Sequence, residues 1–208
     1  MRKSFFVMIL IVAGSLWAEE KTVEIEYFSN GKNIRLEVSS VYVTRGEFES
    51  FFGPPFTGEP LPDDYVLTEE LAGMIITDIS WGGAISFCNK LSESKNLEPF
   101  YVKKENNYDP INVEVNFQAN GYRLLTEKEW LILIDDHGHE IGNRGEGFKE
   151  FLWDDFTGEV IEEPYSNTSN YNRLLRDIDD LVFRRGAPAY DRHGYSPETT
   201  FRVARRIN

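Results

Sequence analysis

A chain of 208 residues with 35 acidic and 22 basic side chains carries a formal charge of −13. That excess repels nucleic-acid phosphates and anionic membrane surfaces, and it suits solubility, cations or basic partners. The length fits one domain with a real core. The single cysteine excludes an internal disulfide, so stability must come from packing or from bound ions.

Residues 1–18 stand apart. Arg2 and Lys3 make a basic start, residues 5–12 are an unbroken apolar run, and Ser15-Leu16-Trp17-Ala18 offers a cleavage site. This is the pattern of a secretory signal peptide, with an apolar run short for crossing a bilayer. The expectation is an exported chain, periplasmic or extracellular. Residues 19–208 would form a single domain with no membrane attachment after cleavage. Setting Arg2 and Lys3 aside moves the formal charge from −13 to −15.

Thr22-Val23-Glu24-Ile25-Glu26-Tyr27 alternates polar and apolar residues, Asn30-Gly31 is a hairpin signal, and Ile34, Leu36 and Val38 alternate again. A β-hairpin is predicted. Thr44-Arg45-Gly46-Glu47 has the spacing of a capping box. It predicts a short helix with Phe48, Phe51 and Phe52 on one side, stopped by Gly53-Pro54-Pro55. Residues 54–73 are rich in Pro, Gly and acids and read as a loop. Residues 76–79 read as a short strand or an entry segment. Ser80 can cap a helix beginning at Trp81, on which Ala84, Phe87, Cys88 and Leu91 form one buried stripe.

Residues 99–102 and 111–115 read as short strands. Gly121 can supply a turn, and Tyr122 and Leu124 alternate like strand residues. Thr126 and Glu129 form a second capping box, after which Trp130, Leu131 and Ile134 share a helix face that should end near Asp135. Residues 157–180 read as polar loop with one helical turn near Leu174.

Gly121-Tyr122-Arg123-Leu124-Leu125-Thr126-Glu127-Lys128-Glu129-Trp130 resembles the G-Y-R-L-P-T-E-x-E-W signature of the formylglycine-generating enzyme (sulfatase-modifying factor) family, with Leu125 in place of Pro. Other segments follow in the family's order. Val43-Thr44 with Phe48 and Phe51 resembles its E-V-T-N-x-x-Y-x-x-F. Residues 79–92 resemble V-S-W-x-D-A-x-x-Y-C-N-W-L-S, with Gly83 in place of an Asp that would strengthen the helix cap. Glu150-Phe151-Leu152-Trp153-Asp154 resembles E-W-C-W-D, although the preceding G-N-V-W is not intact. Residues 181–187 resemble R-V-x-R-G-G-S. Phe201-Arg202-Val203-Ala204-Arg205 resembles the closing G-F-R-V-x-R, with Thr200 for Gly. The likeness covers about residues 34–206.

What the resemblance implies is an α+β, C-type-lectin-like fold, loop-rich, with short strands and two or three short helices. Thr44, Glu47, Trp81, Cys88, Arg123, Thr126, Glu129, Trp130 and Trp153 would be structural. Catalytic relatives oxidise a substrate cysteine with oxygen and a copper-binding cysteine pair placed between the R-G-G-S strand and the closing strand. Residues 187–200 contain no cysteine here, and soft thiolates are what hold Cu(I). Copper is therefore not expected. Cys88, on its apolar stripe, reads as a small buried hydrophobe.

The favoured expectation is a non-catalytic protein that binds a protein or envelope component through Tyr190, Arg192, His193 and Tyr195. One alternative is a divergent metal-dependent enzyme using residues 135–140, with His137 and His139 as ligands. Another is a glycan-binding module, although the Glu-Pro-Asn of calcium-dependent lectins is missing. Structural calcium could be held by Asp154 and Asp155, with Asp177, Asp179 and Asp180 as further oxygen donors. No pattern in the sequence specifies an oligomer.

Overall fold

The computed structural model describes residues 22–29, 31–54, 65–102, 113–142, 147–155, 172–177, 185–188 and 198–207. The chain opens with the hairpin that its alternation predicts. β1 (Thr22–Ser29) pairs antiparallel with β2 (Lys32–Ser39) in unbroken register, and Gly31 takes the left-handed conformation (φ 73°) that the tight turn demands. Val23, Ile25, Leu36 and Val38 face the core.

α1 (Arg45–Phe52) begins at a complete capping box. The Thr44 hydroxyl accepts from the Glu47 N–H, and the Glu47 carboxylate accepts from the Thr44 N–H at 2.6 Å. Gly53 ends the helix at φ 70°. Phe48 is buried and Phe51 half-buried, while Phe52 stays exposed at the edge of the aromatic cluster. Residues 54–73 are not loop throughout. Thr68 caps a one-turn helix, α2 (Glu69–Gly73), accepting from the Leu71 N–H, and the helix is too short to show apolar periodicity in the sequence.

α3 (Trp81–Ser94) is the core helix, with Trp81, Ala84, Ile85, Phe87, Cys88 and Leu91 fully buried. The cap that Gly83 should weaken is intact, because the Ser80 hydroxyl accepts from the Gly83 backbone N–H at 3.1 Å and needs no carboxylate. β3 (Tyr101–Val102) and β4 (Glu114–Val115) form a two-stranded ribbon.

β5 (Tyr122–Arg123) runs into α4 (Glu127–His137), which extends two residues beyond the expected end. Gly121 works by close approach rather than by turning the chain. A Cβ there would lie 2.3 Å from the Glu98 carbonyl oxygen and 2.6 Å from the Ser92 hydroxyl. That hydroxyl accepts from the Tyr122 N–H at 2.8 Å, so the bare glycine lets β5 lie directly against α3.

β6 (Lys149–Asp155) follows, then β7 (Asn172–Asp177), β8 (Arg185–Pro188), the two-residue β9 (Thr199–Thr200) and β10 (Ala204–Ile207). β7 replaces the polar loop and helical turn expected near Leu174. Backbone pairing with both β6 and β8 holds this polar segment extended, and Leu175 and Arg176 are buried.

The strands make two four-stranded sheets, ordered β1-β2-β10-β5 and β8-β7-β6-β9, and the β6–β9 pair is parallel. The architecture is α+β. One core cluster surrounds the α3 stripe with Phe48, Trp153 and Phe201. The other packs the β1–β2 hairpin on Trp130, Leu133 and Ile134 of α4.

Two glycine replacements test this packing in opposite directions. Gly121→Ala must displace backbone, and its urea midpoint should fall by the equivalent of about 1–3 kcal/mol. Gly82→Ala sits near the start of α3, where its Cβ meets nothing closer than the Ser80 hydroxyl at 3.8 Å. It should raise the midpoint by about 0.5 kcal/mol.

Candidate functional site

The most recognisable stretch of the chain, β5 into α4, carries its charges inward. Arg123 is buried and grips Glu129 with two parallel bonds, Nη1 to Oε2 and Nη2 to Oε1, each 2.7 Å. Glu129 also completes the α4 capping box, accepting from the Thr126 N–H at 2.9 Å, while the Thr126 hydroxyl accepts from the Glu129 N–H. The Tyr27 hydroxyl donates to the remaining side of the carboxylate, which ties β1 to the helix start. Burial alone would raise the Glu129 carboxyl, but the Arg123 guanidinium and the converging donors hold it below its usual range. Burial and the Glu129 charge push the Tyr27 phenol upward.

Two further buried pairs flank this one. Arg176 of β7 donates to Glu127 at 2.6 Å and lies 5.6 Å over the Trp130 ring. Arg202 donates through Nε to Glu150 at 2.8 Å and lies 4.4 Å over Tyr42. The other Glu150 oxygen accepts from the Trp130 indole N–H at 3.0 Å. Asp154 is buried and accepts from the Glu127 N–H, so it serves the first turn of α4, where a negative charge is favoured. Both oxygens of Glu129 and of Glu150 are thus committed to donors from the fold. These carboxylates hold elements together and are not presented to a substrate.

Thr44, Glu47, Trp81, Arg123, Thr126, Glu129, Trp130 and Trp153 all occupy structural positions. The Trp81 indole donates to the Leu152 carbonyl at 3.0 Å, and its ring packs on Trp153. Cys88 is a free, fully buried thiol that burial pushes well above its ordinary range, far from the exposed, electropositive setting of a reactive cysteine.

The metal site expected at His137 and His139 is not formed. The Glu24 carbonyl oxygen, 2.9 Å from His137 Nε2, can only accept, so Nε2 carries a proton; Nδ1 faces the Glu140 carboxylate at 3.0 Å. Both ring nitrogens are occupied. His139 is 78 % exposed and 3.5 Å from the same Glu140. Among the described residues no three His, Cys, Asp or Glu side chains converge as a metal site. Asp154, proposed as a calcium ligand, is instead engaged at the start of α4. The backbones of Asp155 and Asp177 lie in β6 and β7, but their side chains are outside the description. Asp179, Asp180, Tyr190, Arg192, His193 and Tyr195 lie outside the described residues.

Sequence reasoning recognised the caps but missed Tyr27, Glu127, Glu150 and Arg176 as members of one buried charged frame. A charged residue between apolar neighbours, as in Phe201-Arg202-Val203, was the available signal for a buried ion.

Comparison with known proteins adds fold-level likeness. No family model matches the chain. A local match at 39 % identity over 62 residues links it to the "Chaperone protein LppX" of Paenibacillus barcinonensis, covering 25 % of this chain and 22 % of that protein. Treponema denticola variable protein 1 is similar in structure, with a TM-score of 0.59 and 18 % identity, over 89 % of this chain and 93 % of its own. CarF is similar with a TM-score of 0.55 and 15 % identity, over 90 % and 97 % of the two chains. At these identities the structural likeness is one of fold.

Arg123→Met leaves Glu129 buried without its cation and should cost about 3–5 kcal/mol at pH 7 in urea denaturation. The depressed Glu129 carboxyl makes its contribution above the unfolded carboxyl range. That contribution disappears as pH falls through the folded value, so the gap between wild type and variant should close in acid.

His137 behaves in the opposite sense. The hydrogen bond to Glu140 raises its pKa against the opposing effect of burial, with the Glu24 carbonyl adding to the rise. Its contribution is complete below about pH 6.5 and is lost as pH rises through the folded value. His137→Gln should therefore be less stable than wild type at pH 5.5, and the difference should vanish by pH 9.

Proposed function

We propose that the protein is an exported, non-catalytic domain of the C-type-lectin-like, formylglycine-generating-enzyme type that binds a protein or envelope component. One observation carries this reading. The single thiol is buried and unreactive, while the most recognisable charged residues are consumed in the buried frame. Oxidation of the family's kind needs an accessible thiolate pair to hold copper, and residues 187–200 carry none. What remains is a set of packed elements braced by buried ion pairs, a frame on which binding segments can be carried.

The segment containing Tyr190, Arg192, His193 and Tyr195 supplies the side-chain types that make interface contacts, aromatic rings and a planar guanidinium. The excess of acidic residues and the N-terminal signal pattern support the reading. The local likeness to a protein named a chaperone agrees with a protein-binding role. The metal-dependent alternative loses its ligand cluster, since His137 is committed on both sides.

Incubation with a sulfatase-type cysteine peptide, Cu(I) and oxygen should leave the peptide mass unchanged. Appearance of the aldehyde product would overturn the non-catalytic assignment. The binding half of the proposal is read separately. The double variant Tyr190→Ala/Tyr195→Ala should keep the wild-type circular dichroism and lose at least tenfold in photo-cross-linking to envelope proteins. Undiminished cross-linking would remove this segment from the binding face.

A further inference from the structure

Among the described residues β1 lies at the edge of its sheet, and the pairing tells which of its backbone groups turn away from β2. The Ser39 N–H donates to the Val203 carbonyl at 2.9 Å, so the odd-numbered residues of β2 turn their backbone groups toward β10. The even-numbered residues of β2 therefore face β1. Leu36 and Val38 stand opposite Ile25 and Val23, which makes Val23, Ile25 and Tyr27 the residues bonded to β2. Glu24, Glu26 and Phe28 must turn N–H and C=O outward. His137 confirms this independently, since it reaches the Glu24 carbonyl from outside the sheet at 2.9 Å. Beyond that contact, the outward backbone groups of Glu26 and Phe28 have no partner among the described residues.

Open edges are commonly blunted by proline, a bulge or a covering element. β1 has no proline, and its register with β2 is continuous through all eight residues. Its blunting device is charge, from Glu24 and Glu26. Phe28 completes the exposed face of the strand, with 71 % of its surface open to solvent. The two acids are not equivalent. Glu24 is ion-paired with Arg35 at 2.7 Å, whereas Glu26, which stands opposite Arg35 in the strand pair, accepts from the neutral amide of Asn33 and has no ion pair of its own among the described residues. The next charges across this face, Glu37 and Arg205, are paired with each other at 2.9 Å.

We infer that residues 24–28 are a docking edge for an extended basic segment of a partner protein, which adds to the sheet as a fifth strand. Backbone hydrogen bonds would supply the pairing, and alternate side chains the selection. A second copy of this chain is the wrong occupant. Edge-to-edge pairing of two β1 strands brings Glu24 and Glu26 near their own counterparts, and like charges across a strand pair are destabilising. A segment alternating Lys or Arg with apolar residues places its cations beside Glu26. Phe28 lies on the same face as Glu26, so it meets the aliphatic stem of the next cation, while the apolar residues fall on the face of Val23 and Ile25, and His137 marks where the added strand must end. The inference does not depend on the function assigned to residues 187–200.

A fluorescent peptide of alternating Lys and Val tests the inference on the whole purified protein. Binding should weaken with salt and should slow hydrogen exchange at the Glu26 and Phe28 amides. A peptide of equal charge with Pro at alternate positions should bind at least tenfold more weakly. Glu26→Pro removes the outward N–H without touching the β2 pairing and should lose tenfold or more. Glu26→Lys, which keeps the backbone, should shift preference to a Glu-Val peptide. Binding that leaves the two amides unprotected, or that stays at the wild-type level in both Glu26 variants, would overturn the inference. So would self-association through β1 in sedimentation and cross-linking.

Discussion

The buried carboxylate of Glu129 is the constraint on which much of the fold depends. It lies inside the protein as an anion, and such a charge is tolerated only when fully paired and hydrogen-bonded. Three elements must meet for that to happen. β5 brings Arg123, the helix start brings the Thr126 N–H, and the hairpin brings the Tyr27 hydroxyl. A shift of any of them would leave ionised oxygen without a donor. The interaction therefore specifies how hairpin, strand and helix are arranged, which apolar packing alone would leave less sharply defined.

Around it the same logic recurs. Glu150 joins the Arg202 segment to Trp130 of α4, and Glu127 joins α4 to Arg176 of β7. The two sheets and the helix between them are linked through paired ions as well as through apolar contact. Residues that would suggest acid–base chemistry on a surface serve here as the joints of a frame. This is why the most family-like part of the sequence says most about architecture and least about activity.

Much of the local structure could be read from the sequence because its causes are local. Thr44 with Glu47 and Thr126 with Glu129 are three residues apart, so the caps could be recognised directly. The α3 stripe repeats within one helix, and the hairpin alternates on both sides of its turn. The ion pairs were hidden because their partners are distant, 49 residues for Glu127 with Arg176 and 52 for Glu150 with Arg202. His137 misled for a similar reason. Beside His139 it resembled a metal ligand, but its ring is held between Glu140 and a carbonyl 113 residues away. β7 escaped because its segment is polar and is held extended by neighbours on both sides. The exposed edge of β1 was equally invisible, since it depends on β10 taking the other side of β2.

The position of β10 has a consequence for how the chain reaches its native state. Residues 204–207 lie between β2 and β5, in the interior of the first sheet, although they come last among the described residues. The hairpin and β5 are therefore bridged late. Until residues 204–207 are delivered, β2 and β5 each lack a neighbour, and Glu37 lacks the Arg205 that neutralises it. Such long-range closure is entropically slow, so folding of this sheet should be limited by the arrival of its final strand rather than by the quickly formed hairpin. Loss of residues 204–207 would remove an interior strand and with it the continuity of the sheet, which makes their pairing a checkpoint on the completeness of the fold.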